Sequence, residues 1–222
     1  MQRKSTEEIM IKAILFDMDG TVLDTEPLSK MAWSTVLADN GYTFTDKMFY
    51  EHTGLNPAST EKLYKSYLGK DFPYYEMRAK VHLFREEYRN KHGIAVKKGF
   101  HQLSDFLRQN NIKSVIATST PRKEAEHYLE IAKIREHFDY IIGGDEITDG
   151  KPAPEIYLKA AKLAKASTDE CIAVEDSTNG ILSAVNAGIK CVYIHDFSDI
   201  SNELKNRCIT CNDLAEIISI IS

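Results

Sequence analysis

The chain has no apolar run approaching the roughly 18 residues that a membrane-spanning helix requires. Its opening stretch, Met1 to Met10, is polar and lacks the apolar centre of a secretory signal. Positive charge is also short. Against 33 Asp and Glu there are 28 Lys and Arg, a formal net charge of -5 that argues against general nucleic-acid binding. Cysteine is scarce, with four in 222 residues. Cys208 and Cys211 form a Cys-Ile-Thr-Cys, but one such pair cannot complete a four-ligand zinc site, and a redox pair is expected to open a helix after a strand in a thioredoxin-like unit, whereas this one lies near the C-terminus. These cysteines are expected to be reduced packing residues. None of the seven histidines has a His-x-x-x-His spacing, and no Gly-x-x-x-x-Gly-Lys-Ser/Thr loop suggests a nucleoside triphosphate. Internal repeats and low-complexity segments are absent. The expectation is a cytoplasmic protein with neither membrane nor nucleic acid as partner.

What is present is an alternation of elements. Ala13-Ile14-Leu15-Phe16 is a short continuous apolar run, as in a strand buried on both faces of a parallel sheet. From 25 to 94 no segment reads as a buried strand. Thr25 is a candidate N-cap with Pro27 in the first turn, and apolar residues from Leu28 to Leu37 recur at helical spacing until Asn40-Gly41. Ser59 to Leu68 and Pro73 to His92 read as further helices, rich in charges expected to lie on a solvated face. From about 95, helical patterns alternate with the apolar runs Ser114–Ala117, Tyr140–Ile142, Cys171–Val174 and Cys191–Ile194. The pattern predicts an α/β fold, a doubly wound parallel sheet with a Rossmann-like core (1–24 and 95–222). A helical insertion over 25–94 interrupts it after the first strand.

Polar residues follow these strands directly: Asp17 and Asp19, then Thr118 and Ser119, then Glu175 and Asp176. All three sets therefore belong to the carboxyl edge of the sheet, where open α/β sheets hold ligands. Lys151 joins them from the loop Asp149-Gly-Lys-Pro-Ala-Pro154, stiffened by its two prolines. Taken alone, Asp17-Met18-Asp19 could be an N-capping turn; the other strand ends favour a site. Several carboxylates without histidine or thiolate describe a hard-cation site, for which Mg²⁺ is the expected ion. Lys151, the Thr118 hydroxyl and the Ser119 N–H can meet phosphate oxygens. One carboxylate is then available as nucleophile and its neighbour as acid and later base.

The order Asp-x-Asp-Gly-Thr, Thr-Ser, Gly-Lys-Pro, Glu-Asp resembles the haloacid dehalogenase-like hydrolases, over about residues 11 to 215. Phe16-Asp-Met-Asp-Gly-Thr-Val-Leu-Asp-Thr25 with Glu26-Pro27, and Val174-Glu-Asp-Ser-Thr-Asn-Gly180, look most like the β-phosphoglucomutase-type branch. The resemblance implies that the insertion is a cap over the site. It implies Asp17 as nucleophile forming an aspartyl-phosphate, and Asp19 as general acid/base and metal ligand through its carbonyl. Thr118, Ser119 and Lys151 would hold the phosphate. Asp176 would bind Mg²⁺, with Asp17 also on the metal and Glu175 either a ligand or acting through water. True dehalogenases lack an acid two positions after the nucleophile, so Asp19 points to phosphoester chemistry. The expected function is a Mg²⁺-dependent phosphatase, a monomer acting on a small-molecule phosphomonoester such as a sugar phosphate or nucleoside monophosphate. A β-phosphoglucomutase-type isomerase is the alternative. A phospho-accepting signalling module fits poorly, because such modules present the acidic pair before the acceptor and carry no insertion after strand one.

Overall fold

The computed structural model describes residues 10–53, 55, 57–195 and 200–222. The chain runs β1 (Ala13–Phe16), α1 (Glu26–Asp39), α2 (Asp46–His52), α3 (Pro57–Leu68), α4 (Tyr74–His92), α5 (Phe100–Gln109), β2 (Lys113–Ala117), α6 (Arg122–Ile131) and β3 (Tyr140–Ile142). It continues with α7 (Glu155–Ala164), β4 (Cys171–Glu175), α8 (Thr178–Asn186), β5 (Lys190–Ile194), α9 (Asn202–Lys205), β6 (Ile209–Cys211) and α10 (Ile218–Ile221).

The six strands form one parallel sheet in the order β3-β2-β1-β4-β5-β6. β1 lies at its centre because every one of its residues is apolar and can be covered on both sides. Successive side chains alternate between the faces. Ile14 and Phe16 enter a cluster with Leu103 and Leu107 of α5 and Leu129 of α6, whereas Ala13 and Leu15 join Ile156 and Ala160 of α7 and Ile181 of α8. Burying each large apolar side chain contributes about 1.5–3 kcal/mol. The chain reverses its direction of travel across the sheet at β1, so the crevice at the carboxyl ends of β1, β2 and β4 is the switch point.

Helices α1 to α4 build a separate apolar cluster from Ala32, Trp33, Leu37, Met48, Tyr64, Phe72, Met77 and Val81. Trp33 packs against Tyr64 with ring centroids 4.7 Å apart. The chain enters and leaves this helical unit through a two-stranded ribbon. Asp24 N–H donates to Ala95 O and Lys97 N–H to Val22 O, both at 2.9 Å, around an antiparallel bridge between Leu23 and Val96. No helix among the described residues is long and apolar enough to cross a membrane.

Three local features differ from the sequence reading. Thr25 occupies the N-cap of α1 in helical conformation, but its side chain makes no capping bond. Helix α2 went unread, although Thr45 caps it by accepting from Met48 N–H at 3.3 Å; seven residues are too few for a clear apolar period. Strand β6 also went unread, being three residues long with Thr210 exposed. It places Cys211 in the core beside β5, and all four cysteines are free thiols.

Candidate active site

Asp17 leaves β1 still held to the sheet, its N–H donating to Val174 O at 2.9 Å. The chain then turns back on itself. Val22 and Leu23 N–H both donate to Met18 O, and Gly20 adopts a φ of 82°, which glycine takes without the clash a Cβ would make. This turn brings Asp19 and Thr21 to the mouth of the crevice. Thr21 Oγ1 donates to Asp176 Oδ1 at 3.0 Å, tying the turn to the end of β4. Thr120 Oγ1 donates to Asp19 Oδ2 at 3.1 Å, tying it to the end of β2. The other Asp19 oxygen, Oδ1, is buried without a hydrogen-bond partner.

Lys151 reaches in from the loop before α7 and is itself almost wholly buried. Its Nζ donates to Asp17 Oδ1 at 2.5 Å and to Glu175 Oε1 at 2.6 Å. Glu175 is completely buried and saturated with donors. Oε1 also accepts from the Tyr157 hydroxyl at 2.7 Å, and Oε2 accepts from Asp176 N–H, Ser177 N–H and Ser177 Oγ at 3.2, 3.4 and 3.2 Å. Glu175 therefore serves as an anchor for Lys151. Thr118 is buried at the end of β2, its Oγ1 accepting from Thr120 N–H at 3.1 Å, while Ser119 is exposed just before α6.

The electrostatics follow from this crowding. Burial pushes the Asp17 carboxyl up to about 7; the Lys151 charge pulls against that, and Glu175 and Asp19 push with it. Burial works against the Lys151 ammonium too, yet Asp17 and Glu175 together hold its pKa above the ordinary value. Oxygens of Asp17, Glu175 and Asp176 lie within 4.8 Å of one another. Asp17 and Glu175 thus share one ammonium, with Asp176 close by and the charge of Asp19 reaching Asp17. An all-oxygen donor set of this kind fits a hard divalent cation. Asp17 and Asp176 are the better placed to hold one, because both Glu175 oxygens already serve protein donors.

The helical unit meets the core through α4. Arg89 is almost fully buried, with its guanidinium 4.1 Å from the ring centre of Tyr128 on α6 and its Nη1 donating to Glu86 Oε1 at 2.9 Å. The Tyr128 hydroxyl reaches Glu86 Oε1 at 2.6 Å and also Glu124. Arg85 Nε, one turn before, and Arg89 Nε and Nη2 are buried without a hydrogen-bond partner. Sequence reasoning missed Thr21, Thr120 and Tyr157 as parts of this site. The two threonines lie inside the motifs already singled out. Tyr157 reads as core packing.

The family model of the haloacid dehalogenase-like hydrolases matches residues 14–194. A phosphorylated carbohydrates phosphatase from Thermotoga maritima is 28% identical over 215 residues, covering 95% of this chain and 98% of the relative. A validoxylamine A 7'-phosphate phosphatase from Streptomyces hygroscopicus is 29% identical over 210 residues, 94% and 96% of the two chains. Among solved structures, the β-phosphoglucomutase of Clostridium difficile shares the fold, with a TM-score of 0.72 at 22% identity over 96% and 97% of the two chains.

Proposed function

Because this chain belongs to the haloacid dehalogenase-like hydrolases and is a phosphoric monoester hydrolase, we propose that it is a Mg²⁺-dependent phosphatase of a small phosphorylated metabolite, a sugar phosphate or nucleoside monophosphate. The reaction runs through an aspartyl-phosphate on Asp17. The observation that carries this reading is the contact of Lys151 with both Asp17 and Glu175, beside an Asp19 whose Oδ1 has no partner.

An Asp17 oxygen attacks phosphorus as the ester P–O bond breaks, and Asp19 gives its proton to the departing oxygen. In the second half, Asp19 takes a proton from the attacking water, and the Asp17–phosphate bond breaks to release inorganic phosphate. Asp19 is suited to both steps, since Thr120 fixes one of its oxygens and leaves the other for substrate or water. Lys151, the Thr118 hydroxyl and the Ser119 N–H hold the phosphate oxygens. Mg²⁺, held by Asp17, Asp176 and the Asp19 carbonyl, would supply the positive charge that lets a carboxylate and a phosphate dianion approach. Helices α1 to α4, over 25–94, act as the cap that controls water around the aspartyl-phosphate. We place the enzyme in the cytoplasm as a monomer, in keeping with its composition.

The isomerase reading is weaker. β-Phosphoglucomutases, to which the core is similar, carry a histidine where this chain has Ser29, and an arginine just after a cap glycine. The stretch Gly54-Leu55-Asn56-Pro57 has none; its Gly54 and Asn56 lie outside the described residues. The test is incubation of the purified enzyme with Mg²⁺ and a panel of phosphate monoesters, including β-glucose 1-phosphate with a trace of the bisphosphate. Free phosphate is the expected product, and Asp17→Asn should release none. An Asp17→Asn enzyme working at the wild-type rate would refute the covalent route, and glucose 6-phosphate as main product would establish the isomerase.

A further inference from the structure

Helix α8 touches the loop of Lys151 through side chains that the chemistry above does not use. Ser183 is completely buried, and its hydroxyl donates to Ala153 O at 2.6 Å. One turn on and on the same face, Asn186 Nδ2 donates to Pro152 O at 3.1 Å. Pro152 and Ala153 are the two residues that follow Lys151, and they complete a tight turn in which Ala153 N–H donates to Gly150 O at 3.0 Å. The same helix also begins beside the far end of that lysine. Its N-cap, Ser177, donates through N–H and Oγ to Glu175 Oε2, while Glu175 Oε1 accepts from Lys151 Nζ at 2.6 Å. Ser183 lies about 9 Å further along the helix axis than Ser177. One element therefore holds Lys151 twice: by the turn that carries it, through Ser183 and Asn186, and by its ammonium, through Glu175.

A lysine gains more from such a double hold than an arginine would. Its stem has four carbons and many rotamers, and its ammonium is a point charge with no planar fork to fix a direction. If the turn at its base could shift, Nζ would follow Glu175 alone, and its distance from Asp17 would be free to vary. We propose that Ser183, assisted by Asn186, is a positioning residue for Lys151. By fixing the carbonyls of Ala153 and Pro152, it sets the point from which Nζ reaches Asp17 and the transferred phosphate, before substrate arrives. A charge placed in advance needs no reorganisation during the reaction, and a displacement of about 1 Å in such a site can cost about 100-fold in rate. The role of Lys151 toward phosphate rests on the phosphatase reading above, whereas its hold by α8 does not.

The experiment compares wild type, Ser183→Ala and Asn186→Ala with a control, Ile134→Val, which removes one buried methylene from the apolar cluster on the opposite face of the sheet. Kinetics are measured with p-nitrophenyl phosphate and Mg²⁺, well below every melting temperature. Ser183→Ala should lose about tenfold in kcat/KM and weaken inhibition by inorganic phosphate by about the same factor, as expected for one buried hydrogen bond. The Mg²⁺ concentration that gives half activity should not move. Asn186→Ala, at an exposed position, should lose about twofold, and Ile134→Val should melt lower with kcat/KM unchanged. A Ser183→Ala protein that melts lower but keeps the wild-type kcat/KM and phosphate inhibition would overturn the proposal, leaving Ser183 a structural role only. If Ser183→Ala does not fold, Asn186→Ala decides, and wild-type kinetics there would equally overturn it. A second readout needs no turnover. The nitrogen-15 signal of the Lys151 ammonium, assigned by its loss in Lys151→Met, should be shielded from exchange with water in wild type and broadened in Ser183→Ala. Identical signals in the two proteins would refute the hold. If wild type hydrolyses no phosphate monoester, the phosphatase reading has failed, and this signal still decides Ser183.

Discussion

Gly180 sits in the first turn of α8, directly beneath the Glu175 carboxylate. A methyl group built there would stand 1.9 Å from the Glu175 Cδ and Oε1 and 2.1 Å from Oε2. At an ordinary helix position, replacing glycine by alanine stabilises by about 0.8–1.0 kcal/mol. Here the methyl must displace a side chain that is completely buried and fixed by five donors. Moving it strains the bond to Lys151, and hydrogen bonds to charged groups are worth about 1.5–3 kcal/mol each. The overlap wins. Gly180→Ala should destabilise the protein by about 1–3 kcal/mol net, a fall of about 2–10 °C in melting temperature for a chain of this size. Turnover should fall further than stability explains, because Lys151 loses the anchor that keeps it on Asp17. Both quantities are read from a melting curve and from p-nitrophenyl phosphate hydrolysis on the same preparation. A second variant isolates the cause. Glu175→Asp shortens the side chain by one methylene, so combining it with Gly180→Ala should cost less than the two single changes added together. A Gly180→Ala protein that melts higher than wild type with unchanged kcat would refute the reasoning.

Removal of divalent ions with a chelator should abolish phosphatase activity and Mg²⁺ should restore it, whereas Ca²⁺ should inhibit through its larger, looser oxygen shell; full activity in excess chelator would rule out the metal. His52 lies in the cap among Trp33, Phe49 and Tyr64, and burial pushes its pKa down to about 4 from an ordinary 6.5. The unfolded chain protonates first on acidification, so His52's contribution is complete above pH 6.5 and is lost as pH falls toward 4, by no more than about 3 kcal/mol. Trp33, the single tryptophan, lies 5.9 Å from the His52 ring and reports cap unfolding by its fluorescence. His52→Gln should flatten that pH dependence, and an unchanged slope would show that other groups carry it.

The central strands were legible because burial on both faces leaves a continuous apolar run, and the polar residue that ends each run marks the same edge of the sheet. That logic located Asp17, Thr118 and Glu175 at neighbouring strand ends without any knowledge of their contacts. It failed where burial is partial. β6 lies at the sheet margin with one of its three side chains exposed, and α2 is too short to show a period. The partners within the site were beyond reach for a different reason. Tyr157 occupies an apolar position of α7, and only the fold shows that its hydroxyl meets Glu175. Arg89 belongs to a helix whose charges read as solvated, and its burial against Tyr128, about 40 residues away in sequence, is visible only in the fold.

The ribbon where Leu23 pairs with Val96 has a consequence for how such a protein can change. The two connectors are already clasped by hydrogen bonds at the base of the helical unit, so the sheet experiences the whole insertion as little more than a hairpin. The entropy of closing a loop grows only with the logarithm of its length, and here the ends are joined before the first helix begins. Helices beyond the clasp can therefore be lengthened, shortened or replaced while β1 keeps its register against β2 and β4. Two kinds of change are thereby decoupled: Asp17 and the other strand-end residues stay bound to the sheet, and the helices beyond the clasp form a separately variable module.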